Sequence, residues 1–181
     1  MSTTEMNNQV VETVLPTFDY MSEQTIEQTS VERIFLDYLF YLSKGDLDAW
    51  IQLWHENGIF EAAFGPAGTP SLVQGRSNIY NYLAFVLKAM EPVPGESKNW
   101  LFSDIKIYTT TEPETIIAEY RGRSRIAPTG RIYDQRYITR MTTSNGKITL
   151  FREYWNPLVF LDSLGSIDVA QDAFLSFTFG T

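Results

Sequence analysis

The sequence predicts an α+β fold, a cone of N-terminal helices packed on a strongly curved antiparallel sheet. Two observations predict it. Apolar residues recur at helical spacing up to about residue 90, and from Trp100 onward apolar and polar residues alternate with the period of strands. No helical segment separates the later strands, so their order favours an antiparallel sheet over an α/β arrangement with crossover helices.

The helical half is predicted to contain three helices and one short strand. The first helix begins after Ser30, a residue type that favours the N-cap, and ends at Gly45. The second and third are predicted over residues 46–57 and 77–90, each capped by its own first residue. A short strand over residues 58–64 lies between them, after a glycine expected to break the second helix.

The second half is predicted to consist of strands over residues 100–110, 115–126, 131–143 and 147–155, joined by turns rich in Pro, Gly and Asn. Outside these elements, residues 1–28 carry no periodicity, and we expect a flexible or loosely docked lead-in. The cone domain then spans residues 29–157, and residues 158–181 form a C-terminal tail docked on the cone or on a partner subunit.

Composition and charge exclude several classes of function. The formal net charge of −8 argues against nucleic-acid binding, which needs a basic surface. The chain has no cysteine and one histidine, which argues against thiolate or imidazole metal sites, and no nucleotide-binding or hydrolase motif is present. We therefore expect neither a metal nor another cofactor. The N-terminus lacks the pattern of a signal peptide and no apolar run is long enough to span a membrane, so a cytoplasmic protein is expected.

Three segments resemble the nuclear-transport-factor-2-like superfamily, and within it the SnoaL-like and ketosteroid-isomerase-like enzymes. They read KGDLDAWIQLWHENGIFEAAFG, VQGRSNIYNYL and DQRYITRMTTSNGKITLFREYWNP. The end of the chain, with GKITLFREYWN and then FLDSL, is most similar to the PhzA/PhzB proteins of phenazine biosynthesis. The resemblance implies a homodimeric, cofactor-free protein that assists condensation or isomerisation of a small carbonyl compound by proton transfer.

The resemblance to the PhzA/PhzB proteins implies a role for one carboxylate. The residue that those proteins use as their acid–base group falls on Glu153 of this chain. Their helix histidine falls on Tyr82 and a nearby serine falls on Val86, so both of those polar groups are missing here.

Against the ketosteroid-isomerase pattern, the match is also partial. The tyrosine that stabilises the oxyanion falls on Tyr38, whereas the base aspartate falls on Ala62 and the protonated aspartate falls on Tyr137. The chain therefore keeps one phenol donor, offers a second phenol where the acid was, and carries its carboxylate on the last strand.

Strand alternation supports Glu153 independently of any family. It shares one face of the last strand with Phe151 and Trp155, and a carboxyl group between two large rings on an inward face loses solvation. Such burial raises a carboxyl pKa towards the neutral range that proton transfer requires. The alternative is a solvent-facing residue, or a structural partner of an arginine of the strand over residues 115–126, namely Arg121, Arg123 or Arg125.

Two tyrosines are candidate donors to a substrate oxygen. Tyr38 lies on the apolar stripe of the first helix, and Tyr137 shares a strand face with Tyr133 and Gln135. Both also fit as ordinary core residues. We predict that Glu153, Tyr38 and Tyr137 are the catalytic residues. The predicted substrate-contacting residues are Trp54, His55, Tyr82, Leu83, Tyr133, Gln135, Phe151 and Trp155.

Three further positions have competing interpretations. His55, at the predicted C-terminal end of the second helix, also fits a surface residue stabilised by the helix dipole. Glu61 lies beside the missing base, but strand alternation turns it away from Ala62. The pair Asp134 and Arg136 is similar to the catalytic carboxylate–arginine pattern of epoxide hydrolases of this fold, yet its strand face is predicted to meet solvent or a dimer partner.

The sequence therefore predicts a cofactor-independent, acid–base enzyme of secondary metabolism. Isomerisation, cyclisation, dehydration and condensation of a hydrophobic carbonyl or cyclic compound all fit one carboxylate with phenol donors. The alternative is a non-catalytic module of the same fold, either one that binds a small molecule or a dimeric interaction domain. The expected partners are a small hydrophobic molecule and a second copy of the chain, with no nucleic acid and no membrane.

Overall fold

A computed structural model of the chain describes residues 30–96 and 101–175. The lead-in predicted over residues 1–28 lies outside the described residues, as does the end of the predicted tail, 176–181. The helices are α1 Val31–Lys44, α2 Leu47–Ile51, α3 Arg76–Leu87, α4 Pro157–Leu164 and α5 Ile167–Leu175. The strands are β1 Trp54–Ala62, β2 Leu72–Gln74, β3 Met90–Glu91, β4 Phe102–Thr109, β5 Thr115–Ile126, β6 Ile132–Ser144 and β7 Lys147–Trp155.

The strands form one sheet in the order β2-β1-β7-β6-β5, with β3 and β4 both paired to β5. The four long strands predicted from sequence are present, and they pair antiparallel to one another as expected. The prediction of a purely antiparallel sheet is wrong, because β1 pairs with β7 in parallel. Alternation identifies a strand but carries no information about its neighbour, and β1 joins a strand from the opposite end of the chain. The α+β cone predicted for the chain is confirmed.

Helix α1 follows its predicted signals. The Ser30 hydroxyl accepts a hydrogen bond from the Arg33 backbone N–H at 3.2 Å, and Gly45 ends the helix with φ +69°. The helix packs an apolar stripe against the inner face of the sheet, and that stripe consists of the buried residues Ile34, Phe35, Tyr38, Leu39 and Leu42.

The second helix is shorter than predicted. Asp46 caps it through the Ala49 N–H at 3.0 Å, but it ends at Ile51 rather than continuing to residue 57. Trp54 instead begins β1, opposite Ile148 of β7. Gly58 lies within this strand and does not break a helix; a β-carbon there would lie 2.8 Å from the Trp54 ring, so glycine allows that ring to pack.

The third helix begins two residues earlier than predicted. Its N-cap is Gly75, which makes no side-chain cap, and Ser77 lies in the first turn. Gly75 has φ +90°, a conformation that side chains disfavour, and its N–H donates to Gly58 O at 2.8 Å. The turn before α3 is thus fixed to β1 by the backbone.

The segment after the last strand folds into α4 and α5, which pack on the chain's own cone. Asn156 caps α4 by accepting from the Leu158 N–H at 3.0 Å, and Pro157 occupies the first turn. Ala170 and Phe174 of α5 are buried. Within the described ranges, no helix combines the length and the apolar character needed to cross a membrane.

Candidate functional site

A cavity of about 120 Å³ lies between the helices and the inner face of the sheet. Its wall is mostly apolar and aromatic. Helix α1 contributes Tyr38, α3 contributes Tyr82 and Leu83, and the C-terminal helices contribute Phe160 and Phe174. The sheet contributes the polar residues Glu153, Tyr133 and Tyr137 together with Trp155. A concave apolar site with a few convergent polar groups is typical of small-molecule binding.

Glu153 brings a carboxyl group to this wall from the end of β7. The residue is half-buried, and its side chain faces the cavity. The Tyr120 hydroxyl donates a hydrogen bond to its Oε1 at 2.7 Å. The Tyr120 oxygen also lies 3.0 Å from the Thr139 hydroxyl, which can donate to it while Tyr120 donates to Glu153. The carboxyl group is therefore held at one end of a short hydrogen-bonded chain.

Burial in this apolar surrounding raises the pKa of Glu153 to about 7, and the hydrogen bond from Tyr120 partly opposes that rise by lowering it. The predicted alternative, an ion pair with an arginine of β5, is wrong. Arg121 and Arg123 pair with Asp134 and Arg125 pairs with Glu91, all on the outer face or edge of the sheet. Glu153 thus titrates in the range in which it can both accept and return a proton at neutral pH.

Tyr38 lies across the cavity on α1. Its ring stacks on Phe151 with centroids 4.1 Å apart and is 2% exposed. Burial and then the nearby Glu153 charge raise its pKa well above the usual value, so the phenol keeps its proton. In the described parts of the chain the Tyr38 hydroxyl has no hydrogen-bond partner, and it remains available to donate to a ligand.

Tyr133 and Tyr137 form a second polar group on the wall. Their hydroxyl oxygens are 2.8 Å apart, and the Tyr137 ring stacks on Tyr120 with centroids 4.9 Å apart. Burial raises the pKa of both phenols. One hydroxyl donates to the other, so one phenol proton of the pair is left to donate to a ligand.

The structure separates the predicted substrate-contacting residues into two groups. Tyr82, Leu83, Tyr133 and Trp155 line the cavity, as do Tyr38, Tyr137 and Glu153, the residues predicted to be catalytic. The other four are absent from its wall: Trp54, Phe151, Gln135 and His55.

Each of these four has a structural position instead. Trp54 and Phe151 are fully buried in the core behind the cavity. The Gln135 amide donates to Asn156 O at 2.8 Å, which ties β6 to the end of β7. His55 is exposed on β1, where its Nδ1 accepts from the Asn57 N–H at 3.1 Å. The expected helix C-terminus at His55 does not exist, because the strand begins at Trp54.

Two other candidates also lie away from the cavity. Glu61 pairs with Arg152 on the outer face, with Oε2 and Nε 2.7 Å apart, as its strand alternation predicted. Asp134 accepts from Arg121 Nε at 2.6 Å and from Arg123, whereas Arg136 is exposed. Asp134 and Arg136 therefore lie on the outer face, as strand alternation predicts, and Asp134 pairs with the arginines across from it on β5.

Sequence reasoning missed several contributors to the site, among them Tyr120, Phe160 and Phe174. Tyr120 faces inward by alternation along β5, so its orientation was predictable, but its bond to Glu153 depends on the register of three strands. Phe174 had no usable signal, because its place depends on how α5 packs. Among the residues that the structure describes, no group of three or more His, Asp or Glu side chains is placed to hold a metal ion.

Comparisons with known proteins place the chain in a family. The model of the SnoaL-like domain matches residues 35–151. The uncharacterized protein YesE of Bacillus subtilis is 31% identical over 128 residues, which cover 71% of this chain and 82% of that protein. A PhzA/B-like protein of Pseudomonas aeruginosa is 29% identical over 141 residues, covering 78% and 94% respectively.

Solved structures agree with these relatives. A Bacillus subtilis protein with a provisional isomerase assignment has a TM-score of 0.67 at 30% identity, covering 76% of this chain and 94% of that one. A Pseudomonas putida protein with a provisional polyketide cyclase assignment has a TM-score of 0.61 at 14% identity, covering 74% and 97%, and this likeness shows the fold alone. With its family model matched over most of the cone and its aromatic cavity under a curved sheet, this chain belongs to the SnoaL-like family.

Proposed function

We propose that the chain is a cofactor-independent enzyme that moves a proton on a small hydrophobic carbonyl or cyclic compound, with Glu153 as its acid–base group. The observation that carries the proposal is the Glu153 carboxyl group with a pKa of about 7, facing an apolar cavity. A group with this pKa is present in both protonation states near neutral pH, which general acid–base catalysis requires.

The proposed step is proton abstraction next to a carbonyl group. The Glu153 carboxylate takes the proton, the electrons of the C–H bond move into a carbon–carbon double bond, and the carbonyl oxygen becomes an enolate oxygen. Tyr38, whose hydroxyl has no protein partner in the described residues, donates a hydrogen bond to that oxygen. Glu153 then returns the proton. In a β,γ-unsaturated carbonyl compound the intermediate is a dienolate, and isomerisation results when the proton returns to the γ-carbon and the double bond moves to the α,β position.

The Tyr133–Tyr137 pair supports a second point of contact. One of the two phenol protons is not used in the hydrogen bond between the hydroxyl groups. The pair can therefore donate this proton in a hydrogen bond to another substrate oxygen, or to the enolate oxygen. Tyr82, Leu83 and Trp155 would then contact the apolar part of the substrate. Cyclisation, dehydration and condensation use the same proton movements, and the proposed reaction is one of this group in secondary metabolism.

A test that needs no natural substrate uses deuterium exchange. In D₂O near neutral pH, the protein is expected to accelerate exchange of the protons next to the carbonyl group of cyclohexanone, measured by NMR. Glu153→Gln keeps the size of the side chain and removes the base, so the acceleration is expected to fall by about 10²–10⁴-fold. Exchange that is as fast with Glu153→Gln as with the unchanged protein would show that Glu153 is not the base.

A second candidate function is a binding module without catalysis. It is favoured by the apolar residues Ala62 and Val86, which line the cavity where related enzymes carry polar catalytic groups. This alternative predicts that cyclohexanone or a phenol binds in the cavity while neither the protein nor Glu153→Gln accelerates exchange.

We also propose that the chain forms a homodimer in the cytoplasm through the outer face of its sheet. Ile138 is 46% exposed there, and the exposed ring of Phe64 contacts Tyr154 of β7 with centroids 5.4 Å apart. Light scattering tests this: Ile138→Glu is expected to give monomers. Leu158→Glu, at a residue of α4 that is 70% exposed, serves as the control and is expected to leave the dimer intact.

A further inference from the structure

The two C-terminal helices supply a part of the cavity wall that lies wholly beyond the family match, which ends within β7. The SnoaL-like domain is matched over residues 35–151, and α4 and α5 follow that segment. Each helix supplies one aromatic ring to the wall, Phe160 from α4 and Phe174 from α5. A chain that ended with β7 would keep Glu153 and the tyrosines but would lack this side of the cavity.

The docking of α5 rests on specific contacts. The Gln171 amide donates to Ala67 O at 2.6 Å, in the loop between β1 and β2. A β-carbon on Gly68 would lie 2.8 Å from Gln171, so the loop carries glycine where the helix approaches most closely. Ala170, on the same helix, is fully buried. Residues of both α5 and the loop between β1 and β2 therefore hold the helix in position.

The docking of α4 is similarly specific. The Thr129 hydroxyl donates to Ser163 O at 2.6 Å, and Arg131 donates to Asp162 O at 2.5 Å, so the turn between β5 and β6 holds the end of the helix. The Phe160 ring packs on Trp155 with centroids 5.4 Å apart. This ring is thus held against the residue that follows Glu153 on the inner face of β7.

The Phe174 ring lies against α3, which also lines the cavity. It is 9% exposed, and its centroid is 6.1 Å from that of Tyr82 and 5.4 Å from that of Phe85. The cavity that remains measures about 120 Å³. A protein cavity of about 150 Å³ holds a benzene molecule, so the space here is on the scale of a single ring.

We propose that Phe174, with Phe160, sets an upper limit on ligand size, so that the site accepts compounds with one six-membered ring and excludes fused two-ring compounds. The inference rests on the proposed function for the identity of the site, and it adds the substrate class. Phe174 acts here as a determinant of specificity, since it limits the space in front of Glu153 and takes no part in proton transfer.

The test measures the ratio of the dissociation constants of naphthol and phenol by titration calorimetry. The unchanged protein is expected to bind phenol more tightly than naphthol. Phe174→Ala is expected to shift the ratio towards naphthol by about tenfold or more, because the freed space admits the second ring. Val169→Ala, a similar truncation at a residue of α5 that is 50% exposed, is expected to leave the ratio unchanged.

A second variant tests the size limit without truncating a residue of the cavity wall. Gly68→Ala displaces Gln171 and loosens α5, and it is expected to shift the ratio in the same direction by a smaller factor. This variant decides the matter if Phe174→Ala does not fold. An unchanged ratio in the folded variant, or an unchanged protein that prefers naphthol, overturns the proposal.

Binding measurements on Glu153→Gln distinguish the size limit from the proposed proton transfer. Glu153→Gln is expected to keep the preference for phenol, since the size limit is set by α4 and α5. If Glu153→Gln also leaves deuterium exchange unaffected, the proposed function fails while the size limit stands. If the preference between phenol and naphthol disappears in Glu153→Gln, the size limit is overturned.

Discussion

The two faces of the sheet place carboxyl groups in opposite environments. On the inner face, Glu153 meets the Tyr120 hydroxyl, and burial raises its pKa to about 7. On the outer face, Asp134 meets the Arg121 guanidinium, which lowers its pKa. Glu61 is likewise paired with Arg152, the residue that immediately precedes Glu153 on β7.

The comparison shows that the side of a strand decides what a carboxyl group can do. The lowered pKa keeps the Asp134 carboxylate ionised at neutral pH, so it can neither take nor give a proton there. The inner carboxyl group has no cation against it among its described contacts and shares its oxygen only with a phenol. Because side chains alternate along a strand, a shift of one residue would exchange these two roles.

After the loss expected for Glu153→Gln, the next largest effect contrasts an inner phenol with an outer one. Tyr38→Phe removes the proposed donor to the enolate oxygen and is expected to slow the exchange of cyclohexanone protons by about 10²–10³-fold. Tyr154→Phe, on the outer face beside Phe64, is expected to leave the rate unchanged. The NMR exchange assay measures both variants. Equal rates for Tyr38→Phe and the unchanged protein would remove Tyr38 from the proposed step.

The second prediction concerns stability at the inner carboxyl group. The folded-state pKa of about 7 exceeds the ordinary value of 4.5, so folding favours the protonated form. Stability therefore falls as pH rises between these values, by about 2–3 kcal/mol in all. Glu153→Gln carries no such charge, so its stability advantage over the unchanged protein is expected to grow as pH rises.

Urea unfolding at about pH 5.5 and pH 8.5 measures this change, and both conditions lie above the isoelectric point near 4.6. Asp134→Asn is the control on the outer face, where the pKa of the carboxyl group is lowered and no such advantage is expected. An advantage of Glu153→Gln that stays constant or shrinks with rising pH would mean that Glu153 is solvated like a surface carboxylate.

Local signals predicted much of the fold. Helix α1 and strands β5 to β7 carry their own periodicity and end signals, and each was placed within a few residues. The error at Trp54 has a non-local cause. Residues 50–57 have apolar spacing that suits a helix, but Trp54 pairs with Ile148 of β7, and the free energy of that pairing exceeds the weak preference for one more helical turn.

The site was predictable where alternation alone determines it. Alternation placed Glu153 between Phe151 and Trp155, facing inward, and placed Tyr133 and Tyr137 on one face of β6. It did not identify Tyr120 as the partner of Glu153, because this contact joins β5 to β7 across the strand between them. Alternation also carries no information about how deeply a side chain is buried. It therefore did not distinguish Phe151, which lies in the core behind the cavity wall, from Trp155, which lines the cavity.

The hydrogen bond from Tyr120 to Glu153 partly opposes the rise in the Glu153 pKa, so its removal should raise that pKa further. Tyr120→Phe retains the ring, which packs against Tyr137, and removes the hydroxyl that donates to Glu153. Loss of a hydrogen bond to a charged group is expected to raise the Glu153 pKa by about one unit. The midpoint of the pH dependence of deuterium exchange should move upward with it. Thr139→Val removes the hydroxyl group that bonds to the Tyr120 oxygen, and it should produce a smaller shift in the same direction.

The smallest expected effect is on the outer face, and its sign is opposite. The Asp134 pKa is lowered by Arg121, so this pair stabilises the fold at neutral pH and loses that contribution as pH falls through the lowered pKa. Asp134→Asn is expected to reduce the free energy of unfolding at pH 7 by less than about 1 kcal/mol, because both side chains are 36% exposed. Urea unfolding with and without high salt measures it. If Asp134→Asn lowered the free energy of unfolding by as much as Glu153→Gln raises it, solvent would not be screening the outer ion pairs. Exposure to solvent would then not explain the difference between the two faces.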